Sequence, residues 1–303
     1  LGAILFKSGA GAETAWRREL EARLGPLDWR VWPEVGDPAE IDIALLFRAD
    51  RGFFAGFPNL KAILSTGAGV DGIFRDTERP AHLPMARIVD PHMTTEMVQW
   101  ALWAVLNFRR QFPDYARNQA EGRWHEFPHE ERLPARVGLL GCGEIGSAIG
   151  RQLASLGFEV SGWTRSPRDL GPIRNHAGAA ALDGFLAGAQ FLICMLPLTD
   201  DTAGILNAAL FEKLPPRAVL INLARGRHVN QGDLIAALES GRLAGAVLDV
   251  TDPEPLPADH PLWRAPNCIV TPHCSGITTP QTAADQVAEN IRRARAGEPL
   301  INA

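Results

Sequence analysis

The chain has no apolar run approaching the ~20 residues of a membrane-spanning helix, so it contains no candidate transmembrane segment. It also has no basic run long enough to form a nucleic-acid or membrane patch. Its 30 Lys and Arg are outweighed by 35 Asp and Glu, and the resulting net charge of -5 leaves no electrostatic footprint for nucleic acid. Cysteine is sparse: Cys142, Cys194, Cys268 and Cys274 show neither C-x-x-C pairing nor a companion histidine spacing for zinc. No metal site is expected, and reduced thiols in a cytoplasmic protein are the plain reading. Leu1–Phe6 is apolar but lacks a basic flank and a small-residue cleavage site, and reads as a strand and not a signal peptide. There is no internal repeat or low-complexity tract.

The informative stretch is Arg136-Val137-Gly138-Leu139-Leu140-Gly141-Cys142-Gly143-Glu144-Ile145-Gly146, a buried-type strand running into a glycine turn and a helix. Gly141, Gly143 and Gly146 form G-x-G-x-x-G. The first glycine permits the tight turn, the second lets backbone approach a pyrophosphate, and the third allows helix–strand packing. The following helix N-terminus offers N–H groups to the phosphates. Ile145, Ile149, Leu153 and Leu156 recur at helical spacing, and a second strand, Phe158–Trp163, follows at once. This is a βαβ unit of the dinucleotide-binding kind.

Strand and helix alternate on both sides of this unit. Before it, the pattern predicts a strand at Leu1–Phe6, a helix near Thr14–Leu24, and strands at Ile41–Phe47, Leu60–Ser65 and Arg87–Val89. Thr94 or Thr95 then caps a long, largely apolar helix through Leu106, a composition that implies burial between domains or subunits. Gln111–Pro134 is polar, carries three prolines and reads as a long loop. After the glycine motif, Gln190–Leu196, Ala218–Leu223, Gly245–Val250 and Cys268–Val270 are apolar runs of the type buried on both faces of a parallel sheet. Gln231–Ser240 and Thr279–Ala296 read as helices. The fold class is therefore α/β, with two doubly wound, Rossmann-like parallel-sheet domains. A chain that leaves one domain and returns to it places 1–97 with 274–303 and sets 98–273 apart as the cofactor domain.

A Rossmann unit for NAD usually ends its second strand with Asp or Glu on the ribose 2′-hydroxyl. Here Thr164, Arg165 and Ser166 stand in that region, with Arg168 close behind and no acid at the expected place. A cation and hydroxyls suit a 2′-phosphate that an acid would repel. The expected cofactor is NADP(H), preferred over NAD(H).

Three downstream segments each follow the carboxyl end of an apolar strand, where ligands of open α/β sheets bind. They carry Arg225 in Asn222-Leu223-Ala224-Arg225-Gly226-Arg227, Glu254 in Leu248–Pro257, and His273 in Val270-Thr271-Pro272-His273-Cys274. With Ser65-Thr66-Gly67-Ala68-Gly69-Val70-Asp71 and Leu196-Pro197-Leu198-Thr199, these segments resemble the D-isomer-specific 2-hydroxyacid dehydrogenases over nearly the whole chain, most closely the glyoxylate/hydroxypyruvate reductase A branch.

The resemblance implies a homodimer built around the long helix, with a small 2-keto or 2-hydroxy acid as substrate and no nucleic-acid or membrane partner. It implies Arg225 and the backbone of Ala68, Gly69 and Val70 as holders of the substrate carboxylate, with His273 at the reacting carbonyl. Glu144, Ile145, Leu196, Pro197 and Ala224 join the glycines around the cofactor, and Asp249 either accepts from the nicotinamide amide or supports the site from behind. His273 as imidazolium is the expected general acid, and Glu254 would orient its ring and raise its pKa. Trp124 is expected to reach a partner's active site, Trp100 and Trp103 to lie in a core or dimer interface, and His92 and Arg48 to line the substrate pocket or lie on the surface. Cys142 and Cys274 are oxidation candidates unless inert. Alternatives are a dehydrogenase for larger keto acids such as phenylpyruvate, or a nucleotide-sensing corepressor-like protein on the same fold.

Overall fold

The structure is a computed structural model that describes residues 2–9, 11–127 and 135–303. It divides into two compact units, residues 1–93 with 277–303, and residues 94–276. The chain crosses at 93/94 and 276/277, a few residues from the expected 97/98 and 273/274.

The first unit carries strands β1 (Ala3–Lys7), β2 (Trp29–Val31), β3 (Ile41–Leu46), β4 (Ala62–Ser65) and β5 (Met85–Ala86), and helices α1 (Glu13–Leu24) and α8 (Pro280–Ala296). Helix α2 (Pro91–Arg109) begins in it. The strand order is β2-β1-β3-β4-β5, with every pair parallel. Ile4 and Phe6 pack on one side with Trp16, Leu20 and the Ala284–Ile291 face of α8, while Ala3 and Leu5 pack on the other with Phe54 and Phe57. Burial on both faces explains why these strands read as continuous apolar runs instead of alternating ones.

The second unit contains α3 (Phe112–Ala120), β6 (Arg136–Leu140), α4 (Glu144–Ser155), β7 (Glu159–Thr164), β8 (Arg174–Ala177), α5 (Leu182–Leu186), β9 (Phe191–Cys194), α6 (Ala208–Phe211), β10 (Ala218–Asn222), α7 (Gln231–Glu239), β11 (Leu243–Leu248) and β12 (Cys268–Val270). Its sheet order, β12-β11-β10-β9-β6-β7-β8, contains the doubly wound Rossmann arrangement, and the order reverses between β6 and β9. That switch point lies beside the glycine turn.

The structure corrects several expectations. Helix α3 occupies part of the polar segment read as a loop; Pro113 stands in its first turn, where proline is tolerated, and the helix lacks a long apolar stripe. The remaining prolines of that segment, Pro128 and Pro134, lie outside the described residues. Helix α2 starts at Pro91, ahead of Thr94 and Thr95. The short strand is Met85–Ala86 and not Arg87–Val89, because the N–H of Ile88 is taken by Gly67 O and that of Val89 by Gln286. Leu156 does not extend the buried stripe of α4: it ends that helix and is 54% exposed.

Candidate active site

Gly141 turns the chain at the end of β6 with φ 95°, and a Cβ there would stand 2.8 Å from the Met195 carbonyl oxygen. Gly146, in the first turns of α4, is tighter still, since its Cβ would meet Gly141 O at 2.2 Å. Gly143 differs: an added Cβ would meet nothing within 4 Å. The protein does not need that glycine for its own packing, so a side chain there would fill the open space at the α4 N-terminus. A pyrophosphate requires this space for close backbone approach. Glu144 and Ile145 open α4 directly after it, and the Leu196–Pro197 turn follows neighbouring β9. The residues present therefore fit a dinucleotide.

At the end of β7, Arg165 and Ser166 are exposed, whereas Thr164 is buried. The Thr164 hydroxyl donates to Ser166 O (2.8 Å) and accepts from Asn175 Nδ2 (2.7 Å). It is thus spent on shaping the loop that presents Arg165. Arg168 Nη1 donates to the Cys142 carbonyl at 3.2 Å, which brings a second cation to the glycine turn. Cys142 packs where Gly162 lacks a Cβ, and burial pushes its thiol up to about 11, so it is an inert core thiol. Cys274 is exposed, but burial of its sulfur and the nearby Asp249 charge raise its pKa as well.

The catalytic candidates come from three adjacent strand ends. Arg225 follows β10 and is fixed by Asn222, whose Nδ2 donates to Arg225 O (2.9 Å) and whose Oδ1 accepts from Ala224 N (3.1 Å). Gly226 then runs so close to the next loop that a Cβ would meet the Thr251 carbonyl group at 2.0 Å. This contact locks the Arg225 turn onto the loop after β11 that carries Glu254. One oxygen of Glu254 accepts from Thr251 N (3.0 Å), and the other lies 2.9 Å from Nδ1 of His273, which follows β12. The two side chains are 40% and 41% exposed, so the pair is accessible from solvent.

His273 holds φ 53°, a left-handed conformation that costs an L-residue roughly 1–2 kcal/mol. Its N–H donates to Asp249 O (2.8 Å), and the Asp249 side chain secures the rest of the turn. One Asp249 oxygen accepts from Thr271 Oγ1 (2.7 Å) and Cys274 N (2.9 Å), and the other from Ser275 N (2.9 Å). Burial works to raise the Asp249 pKa, but the bonds from Ser275, Thr271 and the Cys274 N–H outweigh it and hold the carboxyl below its usual range. Both oxygens serve the histidine loop, so Asp249 supports the site from behind.

The hydrogen bond to Glu254 raises the His273 pKa. Burial and the Arg225 charge oppose the rise, and the charges of Glu254 and Asp249 reinforce it. For Glu254, burial works upward, but the His273 bond, the Thr251 N–H and the charges of His273 and Arg225 leave the carboxyl below its usual value. Both shifts favour an imidazolium–carboxylate pair, with a guanidinium close enough to perturb both.

A sequence model of the D-isomer specific 2-hydroxyacid dehydrogenase NAD binding domain matches residues 102–275. The glyoxylate/hydroxypyruvate reductase A of Serratia proteamaculans (strain 568) is 41% identical over 288 residues, covering 93% of this chain and 92% of that protein. The chain belongs to the D-isomer-specific 2-hydroxyacid dehydrogenases.

Among solved 2-hydroxyacid dehydrogenases, the enzyme of Xanthobacter autotrophicus Py2 in complex with NADPH and MES superposes with a TM-score of 0.93 at 43% identity, over 99% of this chain and 97% of that one. The NADPH-dependent glyoxylate/hydroxypyruvate reductase of Sinorhizobium meliloti, in complex with NADP and sulfate, gives 0.90 at 32% identity over 100% and 98%. In this dehydrogenase the Ser65–Asp71 loop belongs to the first unit, after β4. Ser65 Oγ accepts from Gly67 N (3.1 Å), and among the described residues no group accepts from the N–H of Ala68, Gly69 or Val70. Trp124 is fully exposed, Trp103 is 44% exposed beside Trp100, and Arg48 and His92 lie on the surface. Sequence reasoning passed over His228, a buried residue two positions beyond Gly226 that carries no motif of its own.

Proposed function

We propose that this protein reduces small 2-keto acids, glyoxylate to glycolate and hydroxypyruvate to D-glycerate, with NADPH preferred over NADH. The observation that carries the reading is the His273–Glu254 pair at 2.9 Å, with Arg225 on the neighbouring strand end of a dinucleotide-binding sheet. The reductase names and the NADPH and NADP complexes of the relatives support it.

Gly141, Gly143, Glu144, Ile145 and Gly146 would hold the pyrophosphate, and Leu196, Pro197 and Ala224 would border the nicotinamide half. Arg165 and Ser166, with Arg168 beside the glycine turn, would take the 2′-phosphate. When bound, the nicotinamide supplies the hydride for C2 of the keto acid. Arg225 pairs its planar guanidinium with the substrate carboxylate, which fixes the face that C2 presents. His273 donates the Nε2 proton to the carbonyl oxygen as it becomes an alkoxide, because Nδ1 is engaged by Glu254. Glu254 keeps the ring charged before transfer, and solvent returns the proton afterwards. Asp249 holds the loop that aims the ring.

A homodimer accords with the exposed Trp103 and Leu106 on α2, and the four free cysteines accord with a reducing cytoplasm. The deciding experiment is the initial rate of NADPH oxidation with glyoxylate, hydroxypyruvate, pyruvate and phenylpyruvate, repeated with NADH. Strong turnover of the first two acids with NADPH supports the proposal. Preference for phenylpyruvate moves the substrate to larger acids, and NADPH binding without turnover overturns the enzymatic reading.

A further inference from the structure

Behind Arg225 lies a histidine that the proposed reaction does not use. His228 is 0% exposed and ends the short turn Gly226–His228. Its Nε2 stands 3.3 Å from the carbonyl oxygen of Pro197, in the turn after β9. Its Nδ1 stands 3.2 Å from the backbone nitrogen of Arg225 and 3.1 Å from the Arg225 carbonyl oxygen. A carbonyl can only accept, so the contact with Pro197 places the ring proton on Nε2 and leaves Nδ1 to accept the Arg225 N–H. The Arg225 carbonyl is already served by Asn222 Nδ2.

The ring is therefore a strut between two turns that leave neighbouring strands. A buried side chain whose only task was to fill volume would carry no polar atoms, because each buried polar group needs a partner to offset its lost hydration. Here both ring nitrogens are matched, and one match is to the backbone of the residue that carries the guanidinium. Several constraints meet on that residue, among them Asn222 on its carbonyl, His228 on its N–H, and the close approach of Gly226 to Thr251 on its C-terminal side. The second ties Arg225 to the Pro197 turn.

We infer that His228 is a positioning residue for Arg225, fixing its backbone against the Pro197 turn and so setting the direction in which the guanidinium meets a substrate carboxylate. The inference rests on the proposed role of Arg225 in holding that carboxylate. It assigns His228 to substrate affinity and not to proton transfer or cofactor binding. A guanidinium displaced by a fraction of an ångström loses bidentate geometry, while the His273–Glu254 pair, held by its own loops, stays in place.

The test compares wild type with His228→Leu, His228→Gln and His228→Asn. Leucine removes both polar contacts. Glutamine keeps one donor and one acceptor at a similar span, and asparagine keeps them on a shorter arm. For each protein, KM and kcat for glyoxylate are measured with NADPH, together with NADPH affinity by fluorescence, oxalate affinity by calorimetry with NADP+ present, and thermal unfolding. The expected result for leucine is a parallel rise of KM and of the oxalate Kd by roughly tenfold to a hundredfold. The value of kcat should fall less than about threefold, because His273 is not touched. NADPH affinity should fall several-fold less than oxalate affinity, because the glycine turn and the Arg165 loop are untouched and only the Pro197 turn at the nicotinamide half loses a bond. Glutamine should recover most of the loss and asparagine less.

A folded leucine variant with unchanged KM and oxalate affinity overturns the inference, as does an equal loss of NADPH affinity. If the leucine variant does not fold, equal oxalate affinity in the asparagine and glutamine variants overturns it. The oxalate titration decides the role of His228 even if wild type reduces no keto acid, a result that overturns the proposed function instead.

Discussion

Glu254 and His273 stand on the loops that follow two hydrogen-bonded parallel strands, β11 and β12, and their side chains meet at 2.9 Å between Oε2 and Nδ1. Each partner is independently tied down: Glu254 by Thr251 N, His273 by the main chain of Asp249 and, through the rest of its turn, by the Asp249 carboxylate. The imidazole cannot turn without giving up the Glu254 bond, so its protonation and its orientation are controlled by one contact.

Replacing Glu254 with Gln tests that control through pH. Glu254 is the largest cause of the raised His273 pKa, so its neutralisation should bring the pKa down. Reduction needs the protonated ring, whose population falls as pH rises through that pKa. The alkaline decline of the reduction rate should therefore begin at lower pH in Glu254→Gln than in wild type. Full pH–rate profiles check this, and an unmoved alkaline limb would remove Glu254 from its assigned role.

His273→Ala should lower kcat by roughly 10²–10⁴, the usual contribution of a positioned general acid. NADPH binding should stay within about twofold, because the glycine turn and the 165–168 loop do not depend on the imidazole. Single-turnover rates alongside fluorescence titration separate the two effects. A matching loss of NADPH affinity would make the residue structural.

Arg165→Ala should weaken NADPH by roughly tenfold or more, the scale of one lost hydrogen bond to a charged group, and leave NADH nearly unchanged. Adding Arg168→Ala should deepen the loss, since that guanidinium reaches the glycine turn itself. Paired titrations with the two nucleotides read the difference directly. Equal weakening of both would assign these arginines to the loop's shape and not to a 2′-phosphate.

Gly226→Ala places a Cβ 2.0 Å from backbone atoms of Thr251, which cannot yield as a flexible side chain would. Relief must come from moving either the Arg225 turn or the Glu254 loop, at a cost of about 1–3 kcal/mol or more. The expected outcome is a lower melting temperature together with a fall in kcat/KM. Gly143→Ala, at a position open in the protein alone, should instead leave the melting temperature of the nucleotide-free protein almost unchanged and weaken NADPH binding. Thermal unfolding with and without nucleotide distinguishes the two variants.

Local pattern in the chain determined a good deal of this protein: the strand–turn–helix around Gly141–Gly146, the both-face-buried strands, and Arg225, Glu254 and His273 at successive strand ends are all legible along the sequence. Each depends on neighbours a few residues away, on apolar runs, turn glycines and helical spacing, so each leaves a local mark. Other features were decided only by the tertiary structure. Helix α3 left little mark because its sequence is polar and carries Pro113 in its first turn. The commitment of Asp249 to the histidine loop, the reach of Arg168 to Cys142, the use of the Thr164 hydroxyl within its own loop and the strut from His228 to Pro197 are hydrogen bonds of particular geometry. Most join residues far apart in the chain, and no periodicity records such a pairing. It exists only once parallel strands have brought their carboxyl ends side by side.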